Sequence, residues 1–333
     1  MADDPGSARP RASLSLRLAI AKQFVAAAGC ALAGHNPARR VRSALQKLAG
    51  VPPKPPSRRL SAPALRALRG MDLAGTEPVC LFVAYAPDGR LFDHTVHYCA
   101  DLRRAGMRLV LVVVTDRPDL ACRDPGSAAA DAVLVRENAG YDFAAWADAL
   151  RVMPQIWQAR EIWFANDSVY HSPRLLAPMV TRARASGADI VALTASSEVA
   201  PHFQSYCFML KAAPERRASA RQFWESIAVL EDKLQVIRDY EVGQKSAMEA
   251  GGLSVEVVFP LPPEPRNHLH ESWRGLLEAG FPFVKVELLR DNPYRVDLSG
   301  WHALMEGQGF DLDPITFHLG ARPSGAAALM ELR

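Results

Sequence analysis

Short apolar runs alternate with segments of helical periodicity between residues 79 and 165, and this alternation constrains the fold more than any other feature of the chain. The runs fall at residues 79–85, 108–115, 131–136 and 161–165, and the helical patterns at 92–105 and 143–153. Strands interleaved with helices in this way pack as a largely parallel sheet covered on both faces. Beyond residue 168 the alternation loosens into a helix at 174–186, strands at 189–193 and 206–210, helices at 218–230 and 242–250, and a strand at 253–259. The expected class is α/β. A nicotinamide oxidoreductase is argued against by the first strand end, where Ala84-Tyr85-Ala86-Pro87-Asp88-Gly89 lacks the GxGxxG turn that cradles a dinucleotide.

At 333 residues and 49% hydrophobic content the chain can bury one large core with an appendage, and its charge shows where the appendage lies. Residues 1–70 carry 13 Lys and Arg against two Asp, a net of +11, while the rest carries −8. Within the basic part, residues 13–33 hold only Arg17 and Lys22 as charges, and Leu14, Leu18, Ala21, Val25, Ala28 and Leu32 recur at helical spacing. With Arg39, Arg40 and Arg42 following, residues 13–42 suit a helix lying on anionic membrane, or one docked on the catalytic domain or a partner chain. Lys22-Gln23 interrupts the apolar run a signal peptide needs, and the remainder is too short to span a bilayer. No nucleic-acid motif accompanies the basic residues, so nucleic acid is not expected as a partner. Four prolines between Pro52 and Pro56 impose a stiff linker. The domains expected are a basic helical arm (1–50), the linker (51–59), a catalytic domain (60–310) and a tail (311–333). Cys30, Cys80, Cys99, Cys122 and Cys207 are scattered without metal spacing, which implies free thiols in a reducing compartment.

The stretch from Arg136 to Tyr170 reads as turn, helix, buried strand and polar tip. Asn138-Ala139-Gly140 is turn chemistry between an apolar run and a helix in which Phe143, Trp146 and Leu150 recur at three- and four-residue steps. The run at 161–165 stops at Asn166-Asp167-Ser168, which puts a carboxylate where the strands of an open sheet present ligands. Both tips are expected to face one crevice.

Four segments carry a family resemblance: ENAGYDFAAW at 137–146, NDSVYHSP at 166–173, HFQSYCFML at 202–210 and HLHESWRGLLEAGFPFVKVELLRDNP at 268–293. In this order they resemble the rhamnan synthesis protein F family, bacterial glycosyltransferases of cell-surface polysaccharide assembly, over roughly residues 78–301. The resemblance implies a glycosyltransferase A-type fold, similar to the large family 2 of inverting enzymes: a mixed, mostly parallel sheet flanked by helices, here with an N-terminal helical extension. It implies transfer of a sugar, L-rhamnose from dTDP-rhamnose, to a growing, lipid-linked glycan at the inner face of the cytoplasmic membrane. The rival reading is a catalytically degenerate protein of the same fold that binds glycan or acts as a scaffold.

Matched residue by residue, the resemblance assigns donor contacts to Tyr85, Asp116, Asn138, Gly140, Asp142, Asn166, Asp167 and Ser168. Each also has a plainer use: Tyr85 can stack on a base or rim the sheet, Asp116 can cap a turn, and Asp142 can cap a helix. Asn166-Asp167-Ser168 stands where these enzymes carry Asp-x-Asp, whose acids hold Mg²⁺ or Mn²⁺ against the diphosphate; here one acid is missing. His268 and His270 follow a strand at the place of a further metal or diphosphate ligand. Glu241, ten residues before Gly251, matches the general base, with Asp239 and Glu198 in reserve; an acid at a helix start is equally explained by the helix dipole. His202, Gln204, Ser205 and Trp273 are expected against sugar hydroxyls or rings, and Trp224, Trp273 and Trp301 suit core packing as well.

Overall fold

A computed structural model describes residues 62–321 apart from residues 71, 73–74, 120–121 and 261–266. The basic arm, the proline linker, Cys30 and the residues after 321 lie outside the described residues, as does the membrane contact expected of residues 13–42.

In chain order the elements are β1 (Leu65–Arg69), β2 (Val79–Tyr85), α1 (Asp93–Arg104), β3 (Arg108–Thr115), β4 (Ala132–Glu137), α2 (Tyr141–Val152), β5 (Ile162–Asn166), β6 (Val169–His171), α3 (Pro173–Ala185) and β7 (Ile190–Ser196). There follow β8 (His202–Phe203), β9 (Cys207–Leu210), α4 (Ala218–Ser226), α5 (Lys233–Val236), a π-helical turn (Ile237–Glu241), α6 (Val242–Ala250) and β10 (Val255–Phe259). The chain continues through α7 (His268–Glu271), α8 (Trp273–Glu278), β11 (Phe283–Lys285), α9 (Val286–Asp291), α10 (Trp301–Gly307) and α11 (Leu312–Ala321).

Among the described residues the main sheet has nine strands, in the order β1-β4-β3-β2-β5-β9-β7-β10 with β8 paired to β7. Strands β2, β3, β4, β5, β7 and β10 run one way and β1, β8 and β9 against them, so the sheet is mixed and mostly parallel. The chain winds outward from β2 through β3 to β4, then returns to place β5 on the other side of β2. Loops leaving the carboxyl ends of β2 and β5 therefore diverge, and the gap between them is where an open α/β sheet takes a ligand.

Strand periodicity explains the two large cores. Successive side chains of a strand face opposite sides, and β2 sends Val79, Leu81 and Val83 into one core and Cys80, Phe82 and Ala84 into the other. Burial on both faces is why β2, β3 and β4 read as continuous apolar runs. In the first core Phe164 stacks between Phe208 and Trp224, each at 4.7 Å between ring centroids, and the Trp146 indole N–H donates to the Leu81 carbonyl at 3.0 Å. Phe164→Ala empties the middle of that stack and is expected to cost about 3–5 kcal/mol in urea unfolding. A loss under about 1 kcal/mol would mean that the stack does not hold the core together.

A third core gathers Trp273, Leu277, Leu288, Trp301, Phe310, Ile315 and Leu319 from the C-terminal third of the chain around Tyr170 of β6. It corrects two expectations. Trp273, expected against a sugar, packs there as a buried side chain beside Trp301, and with Trp224 in the first core all three follow the core-packing alternative. The boundary drawn at residue 310 falls just before α11, which packs through Ile315 and Leu319 and accepts a 2.7 Å contact between His318 Nδ1 and the Tyr170 hydroxyl. Elsewhere the expected helix at 218–230 ends at Ser226, and the strand pair β6–β11 has no signal in sequence because each strand is three residues long. Cys80, Cys99, Cys122 and Cys207 are buried free thiols. Among the described residues no helix is long and apolar enough to cross a membrane.

Candidate functional site

Two clefts open at the carboxyl ends of the central strands and share one wall. The larger, about 280 Å³, is lined by Asp142, Asn166, Ser168, Glu198, His202, Gln204, Ser205, Glu241, His270, Lys285 and Glu287 among others. The smaller, about 220 Å³, is lined by Tyr85, Phe92, Asp167, Ser168, Lys233, Lys285, Glu287, Arg290 and His318 among others. Ser168, Lys233, Lys285 and Glu287 line both.

The smaller cleft begins at the gap between β2 and β5. Asp167, just past β5, accepts the Tyr85 backbone N–H at 2.8 Å through Oδ2, so its carboxylate ties the two diverging strand ends together. The Tyr85 hydroxyl donates to Asp116 Oδ2 at 2.5 Å, and Asn138 Nδ2 donates to Asp116 Oδ1 at 2.7 Å. Tyr85, Asp116, Asn138 and Asp167, expected together on the donor side, thus form one hydrogen-bonded chain across the ends of β2, β3, β4 and β5. Asp116 and Asn138 are exposed, with polar atoms available to a ligand at the rim.

A second chain joins that rim to the larger cleft. Asn166 Nδ2 donates to Asp142 Oδ2 at 2.7 Å, the Ser168 hydroxyl donates to Asn166 Oδ1 at 2.5 Å, and Lys285 Nζ donates to Ser168 Oγ at 2.8 Å. Asp142 is no helix cap: Gly140 holds the cap position of α2, and Asp142 sits in the first turn facing Asn166. Burial raises the Asp142 carboxyl above its ordinary value; the Asn166 hydrogen bond and the Lys285 charge oppose that rise, and the Glu241 charge adds to it. Glu241 itself accepts from the Ser205 hydroxyl at 2.8 Å and the Ser205 N–H at 3.2 Å. It ends a π-helical turn, an insertion that displaces a side chain from helical register and is frequent at functional sites.

Several expected residues fall elsewhere. Gly140 lines neither cleft: its φ is +76°, and a Cβ there would lie 2.7 Å from Ala144 Cβ and 3.2 Å from Val229 Cα, so glycine serves the turn and the packing of α2. The buried Arg136 holds the same turn from beneath, donating to the Ala139 carbonyl at 2.5 Å and to Asp148 at 2.9 Å. Asp239 is exposed, pairs with Arg238 at 2.9 Å, and lines neither cleft. Glu198 does line the larger cleft, where the Tyr294 hydroxyl and Asn267 Nδ2 both donate to it. His202 and Gln204 line it too, though His202 is engaged by the Ala200 carbonyl at 2.7 Å and Gln204 by Thr194 at 2.9 Å.

The donor set does not fit a divalent ion held by Asp167, His268 and His270. Asp167 faces the smaller cleft, His270 the larger one, and His268 neither. Burial lowers the pKa of His268, opposed by a hydrogen bond to the Phe259 backbone. Among the described residues no three His, Cys, Asp or Glu side chains converge to hold a metal. His270, 4% exposed, has no hydrogen-bond partner on either ring nitrogen among the described residues; its Nε2 stands 3.7 Å from Glu287 Oε2.

Lys285, Lys233, Glu287 and Arg290 are the Lys, Arg and Glu residues of the lining that sequence reasoning passed over. Lys285, Glu287 and Arg290 stand inside the long segment at 268–293 that carries the family resemblance, and that was the only signal available for them.

Comparison with known proteins agrees with the segments quoted from the sequence. The family model described as rhamnan synthesis protein F matches residues 120–311. The chain is 25% identical over 250 residues to the virulence protein VirA of Vibrio anguillarum, covering 65% of this chain and 80% of that protein. It is 25% identical over 134 residues to the protein y4gN of Sinorhizobium fredii, covering 38% of this chain and 34% of that one. Among solved structures it is similar to the inositol-1-phosphate CTP transferase from T. maritima, at TM-score 0.37 and 14% identity over 72% of this chain and 98% of that one. It is also similar to the mannosyltransferase PcManGT from Pyrobaculum calidifontis, solved with GDP-Man and Mn²⁺, at TM-score 0.31 and 13% identity over 95% of this chain and 90% of that one. Likeness at these scores carries no argument, and the architecture rests on the strand order described above. The matched residues run from before β4 through α10, include most of both cleft walls and make up more than half of the chain: the protein belongs to the rhamnan synthesis protein F family.

Proposed function

We propose that the protein is a glycosyltransferase of surface-polysaccharide synthesis that moves a sugar, L-rhamnose from dTDP-rhamnose, onto a growing glycan with inversion at the anomeric carbon. Family membership supports the class of reaction, and the family's name alone suggests the sugar. The observation that carries the reading is the shared wall: Asp167 and Glu241, 74 positions apart in sequence, line adjoining clefts whose common residues include Ser168 and Lys285. Each cleft is smaller than the roughly 300–1,000 Å³ that encloses a ligand of drug size, so a nucleotide sugar has to reach across both.

The clefts differ in charge. The larger holds Asp142, Glu198, Glu241 and Glu287 against Lys233 and Lys285, and the smaller holds Lys233, Lys285 and Arg290 against Asp167 and Glu287. An anionic diphosphate is favoured in the second and a hydroxyl that must lose a proton in the first. In the proposed step Glu241 takes the acceptor proton, the acceptor oxygen bonds to the anomeric carbon, and the bond from that carbon to the diphosphate oxygen breaks with its electron pair leaving on the nucleoside diphosphate. A single carboxylate base on the acceptor side accounts for inversion.

Titration calorimetry of the full chain against a panel of nucleoside diphosphate sugars tests the reading, followed by NMR of the product's anomeric configuration. The expected result is selective binding of one donor and an inverted product. The degenerate reading, which the internal hydrogen bonding of the Asn166-Asp167-Ser168 tip favours, predicts binding of glycan and of no donor.

A further inference from the structure

We propose that the donor's diphosphate is neutralised by the protein's own cations, Lys285, Lys233 and Arg290, in the smaller cleft, so that donor binding requires no divalent ion. The inference rests on the transferase reading above and deepens it.

Three observations carry it. The first is the failure of a metal set to form where the resemblance implied one: Asp167 spends one carboxylate oxygen on the Tyr85 N–H, and the two histidines do not join it. A leaving diphosphate still has to be neutralised as the glycosidic bond breaks, by a metal or by fixed cations. The second is that three cations from separate segments line one cleft of about 220 Å³, Lys233 from the start of α5, Lys285 from the end of β11 and Arg290 from α9.

The third is how Lys285 is held. It is the last residue of β11, and the pairing of Lys285 with Val169 in β6 puts it beside the Asn166-Asp167-Ser168 tip. Its ammonium donates to Ser168 Oγ and lies 5.3 Å from the centre of the Tyr206 ring. Among the described residues no carboxylate is hydrogen-bonded to it, although Glu241, Glu287 and Asp142 stand near enough to act on it through space. An ammonium has three donors, and an incoming phosphate oxygen can take those that Ser168 leaves. Arg290 is bound to Asp291 through Nε and Nη2, and Lys233 is exposed at the cleft mouth, so both retain donor capacity.

Burial lowers the pKa of Lys285; Glu241, Glu287 and Asp142 oppose that fall, and Lys233 adds to it. Diphosphate binding needs the charged form. Affinity should therefore decline as pH rises through a value below that of an ordinary lysine, and Lys285→Arg, whose guanidinium stays charged, should abolish the decline.

The test is calorimetry of the full chain with dTDP, UDP and GDP, in EDTA and again in Mn²⁺. The nucleotide that binds is expected to do so in EDTA with an affinity within about twofold of that in Mn²⁺; Lys285→Met should weaken it by about 10- to 100-fold and Lys233→Met by about three- to tenfold, as loss of a charge-assisted hydrogen bond does. Thermal melting followed by circular dichroism shows whether Lys285→Met folds; if it does not, Lys233→Met and Arg290→Gln decide. Affinity that appears only with Mn²⁺, or cation variants that bind like the parent, would overturn this inference and leave the transferase reading standing. Absence of nucleotide binding in every condition would overturn both.

Discussion

Glu241→Gln is expected to lower turnover by about 10²- to 10⁴-fold, the range for loss of a general base, while changing donor affinity little. Glutamine keeps a carbonyl oxygen where Oε1 accepts from Ser205, so the π-helical turn should hold its shape and the loss should fall on proton transfer. The comparison with neighbouring acids sharpens the expectation. Asp239→Asn should leave turnover nearly unchanged, because Asp239 is exposed and lines neither cleft. Glu198→Gln should act mainly through the acceptor's KM, since Asn267 and Tyr294 already occupy that carboxylate. Steady-state kinetics with the true donor separates these cases. Full turnover in Glu241→Gln would transfer the role to Asp142, the other carboxylate of the larger cleft that lies close enough to feel the Glu241 charge.

Asp148→Ala is expected to destabilise the fold by about 3–5 kcal/mol, the cost of leaving a buried charge without its partner. Arg136 is 0% exposed, and its Nε donates to Asp148 at 2.9 Å from beneath the Asn138-Gly140 turn. Removing the carboxylate takes the Nε acceptor away from the buried guanidinium, whose Nη1 donates to the Glu137 and Ala139 carbonyls. The double change Arg136→Met with Asp148→Leu removes the charge as well and should recover most of the loss, because desolvating a buried pair offsets much of its Coulombic gain. Urea unfolding of Asp148→Ala and of the double variant measures this. A double variant as unstable as Asp148→Ala would mean that the hydrogen bonds to the turn, and not the buried charge, account for the effect.

Legibility differs sharply between the two ends of the site. Tyr85, Asp116, Asn138 and Asp167 were readable because each ends or directly follows a parallel strand, and a continuous apolar run that ends in a polar residue marks a carboxyl end without knowledge of its neighbours. The histidines misled for the opposite reason. His268 and His270 are two residues apart in a four-residue helix, so only one can face the cleft, and it is His270 that does so. Trp273 was open to a sugar contact or to core packing from its residue type, because the third core that buries it is assembled from helices whose packing has no short-range signature.

The amino-acid sequence by itself determined the α/β class, the family, the central strands and the polar tips they carry, since these follow from periodicity and turn chemistry within a few residues. Only the tertiary structure decided which charges meet. Lys285 reaches Ser168 across 117 positions because β11 pairs with β6, and Glu241 reaches Ser205 because a π-helical turn carries it there. A hydrogen bond between distant segments depends on strand pairing and helix register formed by the whole chain, and no local pattern encodes the distance between its two ends.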